Sequence, residues 1–315
     1  MTMIHHSVTL VGADSYGSRL PPAPVGMFLS NLDAHIRGAV SVAFRGRSRA
    51  PGRPPAWLEA ASDVRLLGVS GRDEAVLHFE APTFSTAAPS LYSQGEFWMT
   101  RPRPDATGFE VFARVLRDVK GADRESDLFE PRMLRGFRTF RRSIGAWFRE
   151  ARIEDVEGLS SRFVTLDSQT IDAATSLGSA APPSRRVRVA GVLDMLRLST
   201  QTFGIKLDTG DEVRGSIAEA SGEILGRLLG ERVVIDGRAV FRPSGRLLRV
   251  DADSILPGEG VSTLFSKPPE AIGRRALRSE VRHPQSPATG VNAFFGRWPG
   301  EETDEELLRE LDDLH

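Results

Sequence analysis

Three stretches in the first half of the chain place apolar side chains at intervals of three and four residues, the spacing that gives a helix one apolar face. The first runs from Val25 to Val40 behind a proline-rich entry, the second covers residues 107–120 and the third covers residues 131–148. Proline is tolerated in the first turn of a helix, where its missing N–H costs no hydrogen bond. The sequence therefore predicts three helices.

Shorter stretches alternate apolar and polar residues, which is the pattern of a strand buried on one face. These stretches cover residues 7–11, 64–68, 75–79, 151–157 and 161–166. Strands and helices mixed in this way are typical of the α+β class with an antiparallel sheet. We therefore expect an N-terminal α+β domain over residues 1–175.

Residues 185–255 follow a small, proline-containing stretch at 176–184, which we interpret as a linker. Alternation predicts three strands, then a helix at 219–229 that ends at Gly230, then two strands. This βββ-α-ββ order, with Gly237 where the fourth strand bends, resembles the OB fold, a five-stranded Greek-key barrel. An OB-like five-stranded β-barrel is the expected structure of residues 185–255.

The C-terminal part differs from the rest of the chain in composition and periodicity. Residues 256–300 are rich in proline and glycine and show no periodicity, so they predict a flexible linker. Residues 301–315 predict an acidic amphipathic helix, because Thr303 and Glu306 have the spacing of a capping box. The apolar stripe of that helix is formed by Leu307, Leu308, Leu311 and Leu314.

Composition and charge exclude few classes of function. The 315 residues carry a formal net charge of -1, so global charge favours neither nucleic acid nor a membrane as a partner. The absence of cysteine excludes disulfides and thiolate chemistry and fits a reducing compartment. No apolar stretch is long enough to span a bilayer, and the N-terminus lacks a signal-peptide pattern. We expect a cytoplasmic protein, and the excess of arginine over lysine suggests a bacterial one.

Motifs of catalysis are missing. The sequence contains no Gly-x-Ser-x-Gly, no His-Glu-x-x-His and no P-loop. The histidines lack the spacing of metal ligands, and we interpret His5 and His6 as part of a frayed N-terminus. The sequence therefore predicts a non-catalytic protein with no metal site and no cofactor.

The barrel supports one hypothesis of function. OB barrels bind single-stranded nucleic acid through stacking aromatics in a basic groove. Few aromatic residues are available for stacking here, since Phe203 and Phe241 are the only ones in the barrel. Phe203 also alternates with core residues. Stacking contributes about 1–3 kcal/mol per base, so binding would depend on phosphate contacts. The candidate residues are Arg238, Arg242, Arg246 and Arg249. The alternative is a structural barrel that packs on the first domain or on another protein.

The tail supports a second hypothesis. Phe294, Phe295, Arg297 and Trp298 lie in the predicted linker, which has no core to bury them. The run from Phe295 to Trp298, followed by residues 303–307, resembles the toxin-binding tails of antitoxins that neutralise PIN-domain ribonucleases. The resemblance implies that Trp298 anchors the tail and that Arg297 occupies the acidic metal site of the toxin. The alternative is that these side chains dock on the protein's own domains.

Together these patterns predict a protein-binding, antitoxin-like or regulatory protein that engages a partner through its tail. The predicted partner-binding residues are Phe294, Phe295, Arg297, Trp298, Leu307, Leu308 and Leu311. A PIN-domain ribonuclease toxin is the partner that the resemblance implies. Nucleic-acid binding through the barrel is the alternative.

Overall fold

The computed structural model describes residues 2–12, 16–50, 52–92, 101–154, 163–217, 226–258 and 265–271. The described residues as far as Ala271 belong to one compact unit, in which an α+β layer and a β-barrel are in contact. The linker predicted beyond residue 271, the C-terminal helix and most of the helix predicted at 219–229 lie outside the described residues.

Five antiparallel strands form the sheet of the α+β layer, in the order β2-β3-β1-β4-β5. At its centre Val8 of β1 lies opposite Leu77 of β3 on one side and Ile153 of β4 on the other. All three side chains are buried, because alternate residues of each strand face the helices. The predicted α+β class with an antiparallel sheet is confirmed. The strands are β1 (Met3–Gly12), β2 (Arg65–Ser70), β3 (Ala75–Pro82), β4 (Phe148–Glu154) and β5 (Phe163–Asp167).

Helices cover one face of this sheet. The side chains of Thr107 and Asp167 cap two of them by accepting hydrogen bonds from the third backbone N–H along the chain. The helices are α1 (Pro22–Arg45), α2 (Ala56–Ala61), α3 (Phe84–Ala87), α4 (Gly108–Lys120), α5 (Pro131–Gly136) and α6 (Ser168–Ala180), with 3-10 helices at Pro89–Leu91 and Phe137–Arg142.

Two sequence predictions in this layer are wrong. The helix predicted at 131–148 ends as a 3-10 helix at Arg142, and it cannot continue to residue 148 because Gly145 has a φ of 90°, outside the right-handed helical region. The linker predicted at 176–184 is helical as far as Ala180, because Leu177 is buried and Gly178 lies against α5, where an added Cβ would approach Leu134 Cβ to 2.9 Å.

The predicted frayed N-terminus is also wrong. Strand β1 begins at Met3 and pairs with β3 from its first residue. His6 is only 3% exposed, its ring stacks on Phe109 at 4.7 Å between centroids, and its Nε2 lies 2.9 Å from Thr107 Oγ1. Burial lowers the pKa of His6 to about 4. This imidazole is therefore a neutral core residue at physiological pH.

The second half of the unit is a closed barrel of five strands. Its first strand pairs with its second and its fourth, and its third strand pairs in parallel with its fifth. This Greek-key arrangement is that of the OB fold, so the predicted OB-like barrel is confirmed. The strands are β6 (Arg185–Arg197), β7 (Thr202–Lys206), β8 (Glu212–Ile217), β9 (Arg232–Phe241) and β10 (Leu247–Pro257).

Glycines allow the barrel to close. A Cβ on Gly215 would lie 2.1 Å from Phe203 Cζ, and a Cβ on Gly237 would lie 2.3 Å from the Asp251 carbonyl oxygen. Neither distance is compatible with a side chain, so these positions need glycine to let neighbouring groups approach. Gly237 is the residue at which the sequence predicted a bend in the fourth strand. Phe203 and Phe241 both lie in the barrel core.

Candidate anion-binding site

The surface with which OB barrels bind ligands consists of the face of the second and third strands and the loops after the first and fourth strands. In this chain the two loops are residues 198–201 and 242–246. Both loops contact the α+β layer. The indole Nε1 of Trp57, on α2, donates a hydrogen bond to the Ser199 carbonyl at 3.2 Å. In the other loop, Arg242 forms ion pairs with acidic residues of the α4–α5 connection.

The four arginines predicted to bind nucleic acid do not form one basic groove. Arg238 is exposed on β9. Arg242 pairs with Asp127 and with Glu125, and Arg246 lies 3.7 Å from Glu125. Together with Arg249, three of the four thus already face carboxylates of the α+β layer.

Arg249, the fourth of them, is buried in the contact between the two layers. Its Nη1 donates to the Gly46 carbonyl at 2.6 Å and its Nε donates to Asp251 Oδ1 at 2.7 Å. Its Nη2 lies 3.4 Å from Glu130 Oε1, and Ser48 also donates to the Glu130 carboxylate. This network joins α1, α5 and β10, so Arg249 holds the barrel on the α+β layer.

The partner-binding residues predicted in the tail cannot be compared with the structure. Phe294, Phe295, Arg297, Trp298, Leu307, Leu308 and Leu311 all lie outside the described residues. The hypothesis built on them stays a prediction from the sequence.

A cavity of about 60 Å³ lies between the barrel and the α+β layer. We call it the junction cleft. Because a cavity needs about 10–15 Å³ of this kind of volume for each water, the cleft has room for about four to six waters or one small oxyanion. Its walls come from the end of α1, from strands β7 and β8 and from the start of β10, and its basic residues are Arg45, Arg101, Arg197, Arg214 and Arg249. Among the described residues that line it, Asp127 is the one acid, and it pairs with Arg242.

The end of α1 supplies one side of the junction cleft. Gly46 terminates the helix in the left-handed conformation, with φ of 72°. Arg45 and Arg47, on either side of it, both donate through Nη2 to Gln201 Oε1, at 2.8 and 3.3 Å. Gln201 itself has a φ of 56°, which is uncommon for a residue with a side chain. A single neutral oxygen is therefore shared by two buried guanidinium groups.

Arg197 of the barrel and Arg101 of the α+β layer also line the junction cleft. Arg197, at the end of β6, is 8% exposed and has no hydrogen-bond or ion-pair partner in the described part of the chain. The guanidinium of Arg101 stacks on the ring of Tyr92, 3.9 Å from its centroid. All three of its nitrogens are buried without a hydrogen-bond partner. These two arginines face the cleft without a polar partner for their N–H groups.

Burial and repulsion between neighbouring guanidinium groups lower the pKa values of arginines in and beside the junction cleft. Burial lowers the pKa of Arg45 to about 10, and neighbouring Arg47 lowers it further in the same direction. The pKa of Arg197 is lowered by burial and then by the charge of Arg101. Arg47 shifts the same way through burial, although Asp251 opposes the shift. At neutral pH these guanidinium groups remain charged, so the cleft concentrates positive charge.

The junction cleft was not predicted from the sequence. Of the five arginines that line the cleft, Arg249 alone was among the candidate residues predicted from the sequence. The signal that could have indicated the site is Arg45-Gly46-Arg47 at the end of a long helix, where two cations flank a glycine that reverses the chain. Their convergence with Arg197 depends on the docking of the barrel.

Other site types have less support in the described part of the chain. No group of three histidine, aspartate or glutamate side chains there could hold a metal ion. Nor is any described helix long and apolar enough to cross a membrane.

No family model matches the chain, and no curated protein or solved structure matches it at a significant level.

Proposed function

We propose that the chain is a binding protein that recognises a phosphate group of its ligand in the junction cleft. The observation that carries the proposal is Arg197, which lines the cavity, is 8% exposed and has no side-chain acceptor in the described part of the chain. Arg101 and Arg45 add buried nitrogens without hydrogen-bond partners on the same walls. A ligand oxyanion would supply the missing acceptors.

The free-energy cost of burying these arginines supports this proposal. Removing a charge from water without a partner costs several kcal/mol, and arginine cannot avoid the cost by releasing its proton at neutral pH. The C-terminal carbonyls of α1 offset part of the charge, but such dipole interactions contribute only about 0.3–1 kcal/mol. The remaining imbalance favours an anion in the junction cleft.

Phosphate fits the arrangement better than a single carboxylate does. Arginine recognises phosphate through pairs of parallel N–H···O bonds, and here arginines approach from opposite walls. A tetrahedral oxyanion presents oxygens in all of these directions, whereas a carboxylate presents two oxygens in one plane. The small volume of the cleft limits the recognised part to one such group, with the rest of the ligand outside.

Isothermal titration calorimetry with inorganic phosphate at constant ionic strength tests the proposal on the full chain. We expect one site, and an affinity reduced roughly 10- to 150-fold in Arg197→Gln, since a hydrogen bond to a charged group contributes about 1.5–3 kcal/mol. Arg238→Gln, an exposed barrel position, is the matched control and should bind like the wild type. Arg197→Gln should be at least as stable as the wild type in chloride buffer, because it removes an unpaired buried charge.

Three results would refute the proposal. The first is a wild-type chain that binds no phosphate, and the second is Arg197→Gln binding with undiminished affinity. The third is acetate competing more strongly than phosphate, which would assign the cleft to carboxylates.

The sequence supports a separate proposal for the tail. Phe294, Phe295 and Trp298 are followed by an acidic leucine-containing segment, a combination suited to a protein surface with an apolar groove and a basic rim. We propose that this segment engages a protein partner, for which a PIN-domain ribonuclease is the candidate. Affinity purification of the tagged chain with and without residues 290–315, followed by mass spectrometry, tests it. The truncated chain should stay folded and lose the partner; a truncated chain that still co-purifies with the same protein would end the proposal.

A further inference from the structure

A second concentration of arginines lies away from the junction cleft, on the helical side of the α+β layer. Two adjoining clefts of about 880 and 340 Å³ lie between α1 and the segment formed by α5 and the following 3-10 helix. They share Asn31, Arg138 and Thr139, so they form one continuous depression, which we call the arginine groove. The described residues that line it include no acidic side chain, and its arginines are Arg49, Arg132, Arg135, Arg138, Arg141 and Arg142.

The backbone of the 131–142 segment sets these arginines in a row. Arg132, Arg135, Arg138 and Arg141 follow one another at intervals of three residues. In a 3-10 helix, residues three apart lie above each other on the same side, and in the preceding α-helical turn they lie nearly so. At about 1.5–2.0 Å per residue, the nine-residue step from Arg132 to Arg141 covers about 14–18 Å.

The six arginines of the arginine groove are only partly neutralised by the protein itself. Arg141 forms an ion pair with Asp172, and Arg135 donates to the Gly178 carbonyl. The remaining four, Arg49, Arg132, Arg138 and Arg142, are exposed and have no hydrogen-bond or ion-pair partner in the part of the chain that the structure describes. The barrel arginines differ in this respect, since Arg242 and Arg249 are held by carboxylates of the α+β layer and by Asp251.

We propose that the arginine groove binds the phosphate backbone of a nucleic-acid duplex, independently of the junction cleft. One strand of a duplex advances about 3.4 Å per phosphate along its axis, so the row is long enough to follow about four or five phosphates. Asn31, Ser30 and Thr139, which also line the groove, are side chains of the kind that donate to phosphate oxygens. The one aromatic ring among the described residues that line the groove is the buried imidazole of His35, so the groove suits a partner whose bases are stacked inside rather than splayed out.

This assignment places nucleic-acid binding on a different surface from the one that the sequence indicated. The loops of the OB barrel contact the α+β layer, whereas the arginine groove is an open depression. Because the contacts are to the backbone, binding should be independent of base sequence and strongly dependent on salt. The four unpaired arginines set the expected number of neutralised phosphates at four.

Fluorescence anisotropy of a labelled 20-base-pair duplex of arbitrary sequence, titrated with the full chain at several salt concentrations, tests the proposal. Four phosphate contacts predict a slope of about −3.6 in log K against log salt, which corresponds to about a 150-fold loss of affinity between 50 and 200 mM salt. In the triple variant Arg132→Gln, Arg138→Gln and Arg142→Gln the slope should fall to about −0.9. All three positions are exposed, so circular dichroism should show an unchanged fold.

The double variant Arg238→Gln and Arg246→Gln is the matched control, because it removes two exposed barrel arginines and leaves the groove intact. It should retain the wild-type affinity and slope. The proposal is overturned if the wild-type chain does not bind the duplex at 50 mM salt, or if the barrel variant loses binding while the groove variant keeps it. Equal binding to anionic phospholipid vesicles with the same loss in the groove variant would also overturn it, because a groove selective for a duplex should discriminate against a flat surface.

Discussion

Arg249 is the residue whose loss should weaken the contact between barrel and α+β layer most. Its side chain is 7% exposed, and it faces the carboxylate of Glu130, whose side chain is 8% exposed. Arg249→Met keeps most of the volume but removes the charge and leaves Glu130 buried with Ser48 as its remaining hydrogen-bond donor. Removing one partner of a buried pair costs about 3–5 kcal/mol, because the other charge is left uncompensated.

Urea unfolding followed by circular dichroism measures this effect. The expected result is a lower midpoint with an unchanged slope, equivalent to about 3–5 kcal/mol. Arg238→Met, at an exposed position on neighbouring β9, should change the free energy of unfolding by less than about 0.5 kcal/mol. Adding Glu130→Gln to Arg249→Met should recover about 1–3 kcal/mol, since the uncompensated charge is then gone. A loss in Arg249→Met no larger than that in Arg238→Met would refute the reasoning.

Two further predictions concern the core. The folded pKa of His6, about 4, lies below its unfolded value of 6.5, so between these values the unfolded chain binds more protons, and stability should fall by up to about 3 kcal/mol as the pH drops from 6.5 to 4. Urea unfolding across this range should show that part of the pH dependence missing in His6→Gln; an identical profile would show that His6 is not buried. Gly215→Ala should destabilise the barrel by about 1–3 kcal/mol or more through collision with Phe203. Gly26→Ala, in α1 where the added Cβ meets nothing within 4 Å, should instead stabilise the chain by about 0.5–1 kcal/mol, and equal effects of the two changes in thermal unfolding would contradict the packing.

The fold was largely predictable because a strand that is buried on one face alternates apolar and polar residues along the sequence. Alternation along 75–79 and 185–255 predicted an antiparallel sheet and an OB-like barrel, and Gly237 marked the bend of β9. The 3-10 helix at 137–142 was not predicted, because apolar residues three apart, such as Phe137 and Phe140, fit an α-helix as well as a 3-10 helix. The frayed N-terminus was a wrong prediction because no local signal shows that a sheet strand will pair on both sides.

The junction cleft was harder to predict for a physical reason. Arg45, Arg101 and Arg197 lie in three segments far apart in sequence, and Arg197 meets the other two only because the barrel docks on the α+β layer. The sequence identified basic residues on the barrel but could not show which face would be covered. Arg242 and Arg249 were therefore predicted to face nucleic acid, whereas they face Asp127 and Glu130.

The most direct test of the anion site is to locate an anion in it. Crystals of the full chain, grown in chloride buffer and soaked with tungstate as a heavy tetrahedral oxyanion, would reveal its position by anomalous scattering. The predicted result is a peak between the two layers, with oxygens within hydrogen-bond distance of Arg197 and Arg45. Tungstate bound only at other surfaces, with the space beside Arg197 filled by protein side chains, would contradict the account.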